Sequence, residues 1–244
     1  MKTLQLLVAI AAAILFSGCS ARYITPGGHA NLSEISNPAL KQGFASKPAA
    51  GFPAGIATVR VQESKYNNYH LEREGGVYAR GRYSVVLMRE VEDEPDINRL
   101  RALPQVGGII SLSRLLLPEK LDSDQDLREA AARLKADMLL LYTFDTSFRE
   151  DDNTALTVVS WGLSHTRKVT ARVQASALLL DTRTGFIYGA FESADKKELT
   201  TNAWKSEEDA DRARRDLEQA TFKKLVTEFE KGWPEVVERA KKGA

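Results

Sequence analysis

The chain has 244 residues, 43% hydrophobic and 27% charged, a globular composition with room for one substantial core or two small ones. Its 34 Lys and Arg balance 33 Asp and Glu, so bulk charge argues neither for a nucleic-acid partner nor for an acidic solvating tail. The single cysteine excludes an intramolecular disulfide, and excludes zinc sites built from four cysteines or from two cysteines and two histidines.

In chain order, Met1-Lys2 is a minimal positive start. Leu4 to Phe16 is apolar apart from Gln5, and Ser17-Gly18 are small. The run is shorter than the ~20 residues of a bilayer span and fits the apolar region of an export signal over residues 1–18 better than a buried helix. Phe16-Ser17-Gly18-Cys19 resembles the bacterial lipoprotein signal, with Phe16 where Leu is usual. The resemblance implies cleavage before Cys19 and acylation of its thiol and new amino group, making Cys19 the lipidation site. A single acyl chain binds membranes only marginally, so several chains suit stable anchoring. Ser20 follows Cys19 in place of Asp, which under enterobacteria-like sorting implies the periplasmic face of the outer membrane. The alternative is an ordinary secretory signal that leaves a free Cys19 near the new terminus. Cleavage removes Lys2 and leaves a formally neutral chain.

Residues 19–55 read as a flexible tether, punctuated by Pro26, Gly27, Gly28, Pro38, Gly43, Pro48, Gly51, Pro53 and Gly55. Against this, Ile24, Leu32, Ile35, Leu40 and Phe44 could dock part of it along the domain surface. An α/β domain is expected over 56–200 and a helical segment over 201–244. Ile56 to Val61 reads as a strand. Glu74-Gly75-Gly76 marks a hairpin turn within 66–81, and Tyr83 to Val91 a further strand. Pro95 opens a short helix to residue 102, and the apolar run 109–117 starts as a strand. Ser123-x-x-Asp126 is a capping-box start for a helix ending near Ala136, directly before the apolar strand Met138 to Phe144.

Residues 154–163 read as a strand, 164–166 as a turn, and Lys168 to Leu179 alternates between an apolar and a wet face. Asp181 to Gly185 is a hairpin turn and Phe186 to Phe191 its return strand. From Ser206 the chain is helical, acidic first and basic later, with Leu217, Phe222, Leu225, Val226, Phe229 and Trp233 as an apolar stripe. Pro234 is expected to kink or restart this helix.

The joint Ala131-Ala132-Arg133-Leu134-Lys135-Ala136-Asp137 and the turn Leu179-Leu180-Asp181-Thr182-Arg183-Thr184-Gly185 resemble the CsgG / TolB N-terminal-like envelope lipoproteins. The resemblance implies an α/β (α+β) fold: a mixed, mostly antiparallel sheet with helices on one face, plus the C-terminal helix. It implies a binding or assembly module for another envelope protein, or a subunit of an oligomeric export channel. Both motifs punctuate a fold and carry no chemistry.

No catalytic residue and no cofactor is expected. His29, His70 and His165 lack ligand-spaced partners, so no metal is expected, and no nucleophile elbow, P-loop or dinucleotide motif occurs. Asp145, Glu150, Asp151 and Asp152 are the one carboxylate cluster a cell-wall hydrolase could use; a solvated loop is the simpler reading. The alternation over 168–179 also fits a membrane-spanning hairpin, although its apolar face is rich in Ala.

Overall fold

In the computed structural model, the structure describes residues 28–30, 46–69, 71, 76–78, 81–87, 89–151, 168–200 and 207–243. Cys19, Asp152, Trp161, His165 and the expected strand 154–163 lie outside the described residues. The elements are β1 (Ala54–Glu63), β2 (Val77–Tyr78), β3 (Tyr83–Val86), α1 (Glu94–Arg101), β4 (Val106–Ser111), a 3-10 turn (Arg114–Leu116), α2 (Asp124–Arg133), β5 (Met138–Asp151), β6 (Lys168–Asp181), β7 (Ile187–Thr200) and α3 (Glu207–Gly243).

The strands form one mixed sheet in the order β2-β3-β1-β5-β6-β7, with β4 beside the first half of β1. β4 and β5 run parallel to β1, and the other pairings are antiparallel. The mixed, mostly antiparallel sheet and the C-terminal helix are as the sequence predicts. The helices, however, lie on both faces rather than one. β5 opens with Met138-Leu139-Leu140-Leu141, apolar on alternate sides, and both sides must be covered. Met138 and Leu140 pack with α1 and α3, while Leu139 and Leu141 pack with Leu127, Ala130 and Ala131 of α2.

The start of α2 is the expected capping box between Ser123 and Asp126. Its end is a Schellman turn: Lys135 N–H donates to Ala132 O and Ala136 N–H to Ala131 O, with Lys135 at φ 57°. Asp137 follows at once and fastens three segments. Its Oδ2 accepts from Gly55 N, its carbonyl accepts from Thr182 N, and its Oδ1 accepts from Arg183 Nη2.

The turn after β6 also forms as expected. Asp181 is fully buried, and its Oδ1 accepts from the backbone N–H groups of Arg183 and Thr184. Its Oδ2 accepts from Ala49 N and from the Tyr188 hydroxyl, and Gly185 takes φ 71°. The two sequence motifs therefore meet in space at the Asp137–Arg183 contact.

Three strands outrun their expected lengths. β5, β6 and β7 are each 14 residues long and stay in continuous antiparallel register at the end away from the Asp181 turn. There they form an arm beyond the last residue of β1. α3 lies along its inner face and packs with Ala171, Val173 and Ala175. Thr170, Arg172, Gln174 and Ser176 fall on the outer face, as the alternation predicts. α3 is unbroken across Pro234, so no restart occurs; Trp233 and Val236, buried on either side, hold the flanking turns against the sheet.

Candidate functional site

Two places combine unusual chemistry with a defined position. The first is where the chain coming from Cys19 enters the fold. β1 and β5 are hydrogen-bonded only from Ile56 to Val59 on β1 and then separate. Gln62 fills the split. Its Oε1 accepts from Phe144 N and from Thr143 Oγ1, and its Nε2 donates to Phe144 O, so the side-chain amide stands in for a missing peptide group. His29 then pairs with Gln62 as an isolated antiparallel bridge. Ala30, 2% exposed, donates its N–H to Thr143 Oγ1 at 3.0 Å. His29 Nδ1 lies 3.3 Å from Asp145 Oδ2.

Residues 28–30 are thus clipped into the sheet. Residues 46–53 are fastened at the opposite end, through Ala49 to Asp181, Ala50 to Tyr188, and the Phe52 ring edge-on to Trp233. Within 19–55, these two pieces are packed against the domain.

The second place is an ionic cluster under the N-terminal half of α3. β1 carries Arg60 in a run that is otherwise apolar or small, and the α3 spacing Asp211, Arg214, Glu218 stacks three charges on one helix face. Arg214 is fully buried and reaches three carboxylates: Asp211 at 2.9 Å, Glu218 at 2.7 Å and Glu90 at 2.6 Å. Arg60, 1% exposed, donates to Glu218 at 3.2 Å and to the Tyr66 hydroxyl at 2.9 Å. Its guanidinium faces the Phe144 ring at 4.7 Å, and its Nε and Nη1 have no hydrogen-bond acceptor. Thr146 donates to the second oxygen of Glu218.

Electrostatics hold Arg60, Arg214 and Glu90 in their charged forms. Burial alone pulls both guanidinium groups down. For Arg214 the carboxylates of Glu218, Glu90 and Asp211, with the Tyr66 oxygen, outweigh it; for Arg60 the Tyr66 oxygen and nearby carboxylates do so. Burial likewise pushes Glu90 up, but Arg214 and Arg60 hold its carboxyl below the usual range. Tyr142 is raised well above the ordinary tyrosine value by burial and by Glu92, so it keeps its proton and donates to Glu92 Oε1 at 2.8 Å.

Beside the cluster, Ile97, Leu100, Leu140, Phe222, Leu225 and Phe229 close on an apolar cavity of about 20 Å³, with Glu92 and Tyr142 at its rim. That is room for a water and too little for an organic substrate.

Of the carboxylates singled out in the sequence, Asp145, Glu150 and Asp151 are on a strand and not on a loop. β5 runs through to Asp151, and Asp145 on it pairs with His29. The strand continues because Thr146 and Phe148 still face α3 while β6 pairs with every residue to Asp151. Among the described residues, no group of three or more His, Cys, Asp or Glu side chains could hold a metal ion. No described helix is long and apolar enough to cross a membrane. Sequence reasoning missed Arg60, Glu90 and Arg214. Arg60 is the one that left a signal, as a charge inside a buried strand pattern.

No family model matches this chain, and no curated protein matches it. Among solved structures it is similar to a neuraminyllactose-binding hemagglutinin homologue from Helicobacter pylori, at 12% identity and a TM-score of 0.37. The match covers 80% of this chain and 91% of that one, and at this TM-score it carries no functional argument.

Proposed function

We propose that this chain is a lipid-anchored envelope protein, held through Cys19 at the periplasmic face of the outer membrane. Its α+β domain acts there as a binding or assembly module for another envelope protein. The observation that carries the reading is Phe16-Ser17-Gly18-Cys19 at the end of an apolar run too short to span a bilayer. The domain's interior supports the module. Its two buried arginines are each paired with buried carboxylates, and the apolar cavity beside Tyr142 holds no more than a water.

The export-channel and hydrolase readings draw less support. A lipid-facing hairpin would need the apolar face of β6, which lies under α3. A two-carboxylate mechanism would need two acids converging on one space, and Asp145 pairs with His29 instead.

Cys19→Ala tests the anchor. The unaltered protein is expected to remain with membranes through a high-salt wash, while the variant moves to the soluble periplasmic fraction. A variant that stays membrane-bound through the same wash contradicts the reading. Chemical crosslinking of the native protein in whole cells is expected to trap one recurrent envelope protein. Recovery of the uncrosslinked chain alone would remove the module reading.

A further inference from the structure

We infer that β7 is a self-pairing edge: two copies of this chain join their sheets antiparallel through residues 190–198, centred on Ala194. The inference goes beyond the module reading and does not depend on the lipid anchor.

The first observation is an open strand edge. β7 ends the strand order, with β6 on one side. Asp181 N donates to Phe186 O, so the odd-numbered residues of β6 turn their peptide groups toward β7. Gly189 lies opposite Leu179, and the register then runs unbroken to Thr200. Ala190, Glu192, Ala194, Lys196 and Glu198 therefore turn their peptide groups away from β6. Among the described residues no strand takes these groups up. Arg239 covers the carbonyl of Tyr188, which marks where the open stretch begins. α3 crosses the sheet obliquely, from Glu218 against Thr146 of β5 to Arg239 against Tyr188 of β7. Beside β7 it leaves an open groove of about 410 Å³, lined by Gly189, Phe191, Gly232 and Glu235 among others. An added strand has room along that mouth.

The second observation is charge. Glu192, Ala194 and Lys196 are exposed on the outer face of β7. Lys196 sits directly opposite Arg172 of β6, a like-charge pair that costs stability. Glu192 sits opposite Ser176. Among the described residues, Arg172, Lys196 and Glu192 make no ion pair. Charges on an edge strand ordinarily discourage pairing. Here the order Glu-x-Ala-x-Lys is its own complement when reversed. With Ala194 opposite its own copy, Glu192 faces Lys196 of the second copy, and the contact occurs twice by symmetry. Each Glu192 then completes a row that already holds Lys196 and Arg172. Neighbouring registers oppose like charges or set Glu192 and Lys196 against alanine, so the pattern selects one alignment.

The inner face accepts the same register. It sets Asp195 opposite Ser193, and Asp195 is already paired with Lys224 at 2.7 Å, so no bare carboxylate enters the seam. Lys196 N–H, held within one chain by Asp195 Oδ1, exchanges that acceptor for a carbonyl of the second copy. The contact uses the same patch on both chains, so it closes at two.

Sedimentation of the native protein, purified in mild detergent, tests the pairing. A reversible dimer is expected. Glu192→Lys is expected to weaken it by about tenfold or more, because both cross-copy contacts become Lys opposite Lys beside Arg172. Exchanging the signs, with Glu192→Lys and Lys196→Glu in one chain, leaves the net charge unchanged and is expected to restore the dimer. That restoration also shows that the single variant failed at the seam and not in folding. A chain that sediments as a monomer throughout the micromolar range would overturn the inference. So would a dimer indifferent to Glu192→Lys, a dimer that the double exchange does not restore, an assembly larger than two, or a different protein seated at this edge in place of the second copy.

Discussion

Arg214→Met is expected to lower the unfolding free energy by about 3–5 kcal/mol, because it leaves three buried carboxylates with only Arg60 and the part-exposed Arg215 to balance them. For a domain of this size the thermal midpoint should fall by roughly 10 °C. Arg214→Lys should rescue little. Asp211, Glu218 and Glu90 are engaged by three different nitrogens of one planar group, and an ammonium on a flexible stem cannot reproduce that fork.

The pH dependence separates loss of the ionic cluster from simple loss of packing. In the unaltered protein Glu90 is held below its ordinary value, since its arginine partners outweigh burial. Its contribution is fully present above the ordinary carboxylate range and is lost as pH falls through the depressed folded value. Without Arg214 burial dominates and the folded value rises. Stability should then fall as pH climbs through that raised value, the opposite sign. Thermal unfolding of both proteins across mildly acidic to neutral pH reads this directly. Parallel profiles would mean that the cluster's charges do not set its energetics.

Trp233→Ala is expected to cost about 3–5 kcal/mol, the range for emptying a buried aromatic site. Trp233 is 2% exposed, stacks on Phe229 with centroids 5.6 Å apart, and donates its indole N–H to Pro104 O at 2.7 Å. Phe52 lies edge-on against it, so the change should also loosen the strap over residues 46–53. Trp233→Phe should keep most of the stability, losing the hydrogen bond and part of the ring volume. Denaturant midpoints of the two variants measure the difference. An equal loss in both would place the energy in the Pro104 hydrogen bond rather than in the aromatic packing.

Local features of this fold were legible in the sequence. The Asp181 turn, the capping box of α2, the alternation of β6 and the apolar stripe of α3 are each written within a dozen residues, and each forms as read. The misplaced features depend on partners distant in the chain. β5 was expected to stop at Phe144 because charged residues follow. It continues because β6 supplies a pairing partner to Asp151 and α3 shelters Thr146 and Phe148. The two-faced burial of β5 was visible as four consecutive apolar residues, but which helix covers which face is a matter of topology.

The site was less legible than the fold. Arg60 meets Glu218 and Arg214 meets Glu90 across more than a hundred residues, and no spacing rule announces such a meeting. Gln62 reads as an ordinary polar position at the end of an apolar strand. Its use as a surrogate peptide group in the β1–β5 split follows from the two strands parting, which only the assembled sheet reveals. The same split receives residues 28–30, so a stretch rich in Pro and Gly holds a fixed point nine residues from Cys19.

The central claim is that the mature chain begins at Cys19 and is held to the membrane by lipid on that residue. Intact mass measurement of the protein extracted from membranes in detergent tests it most directly. The account predicts a chain lacking residues 1–18 and heavier than its polypeptide by the acyl groups on Cys19, with all excess mass on the N-terminal fragment after proteolysis. A chain that begins at any other residue, or one that begins at Cys19 with no added mass, would contradict it.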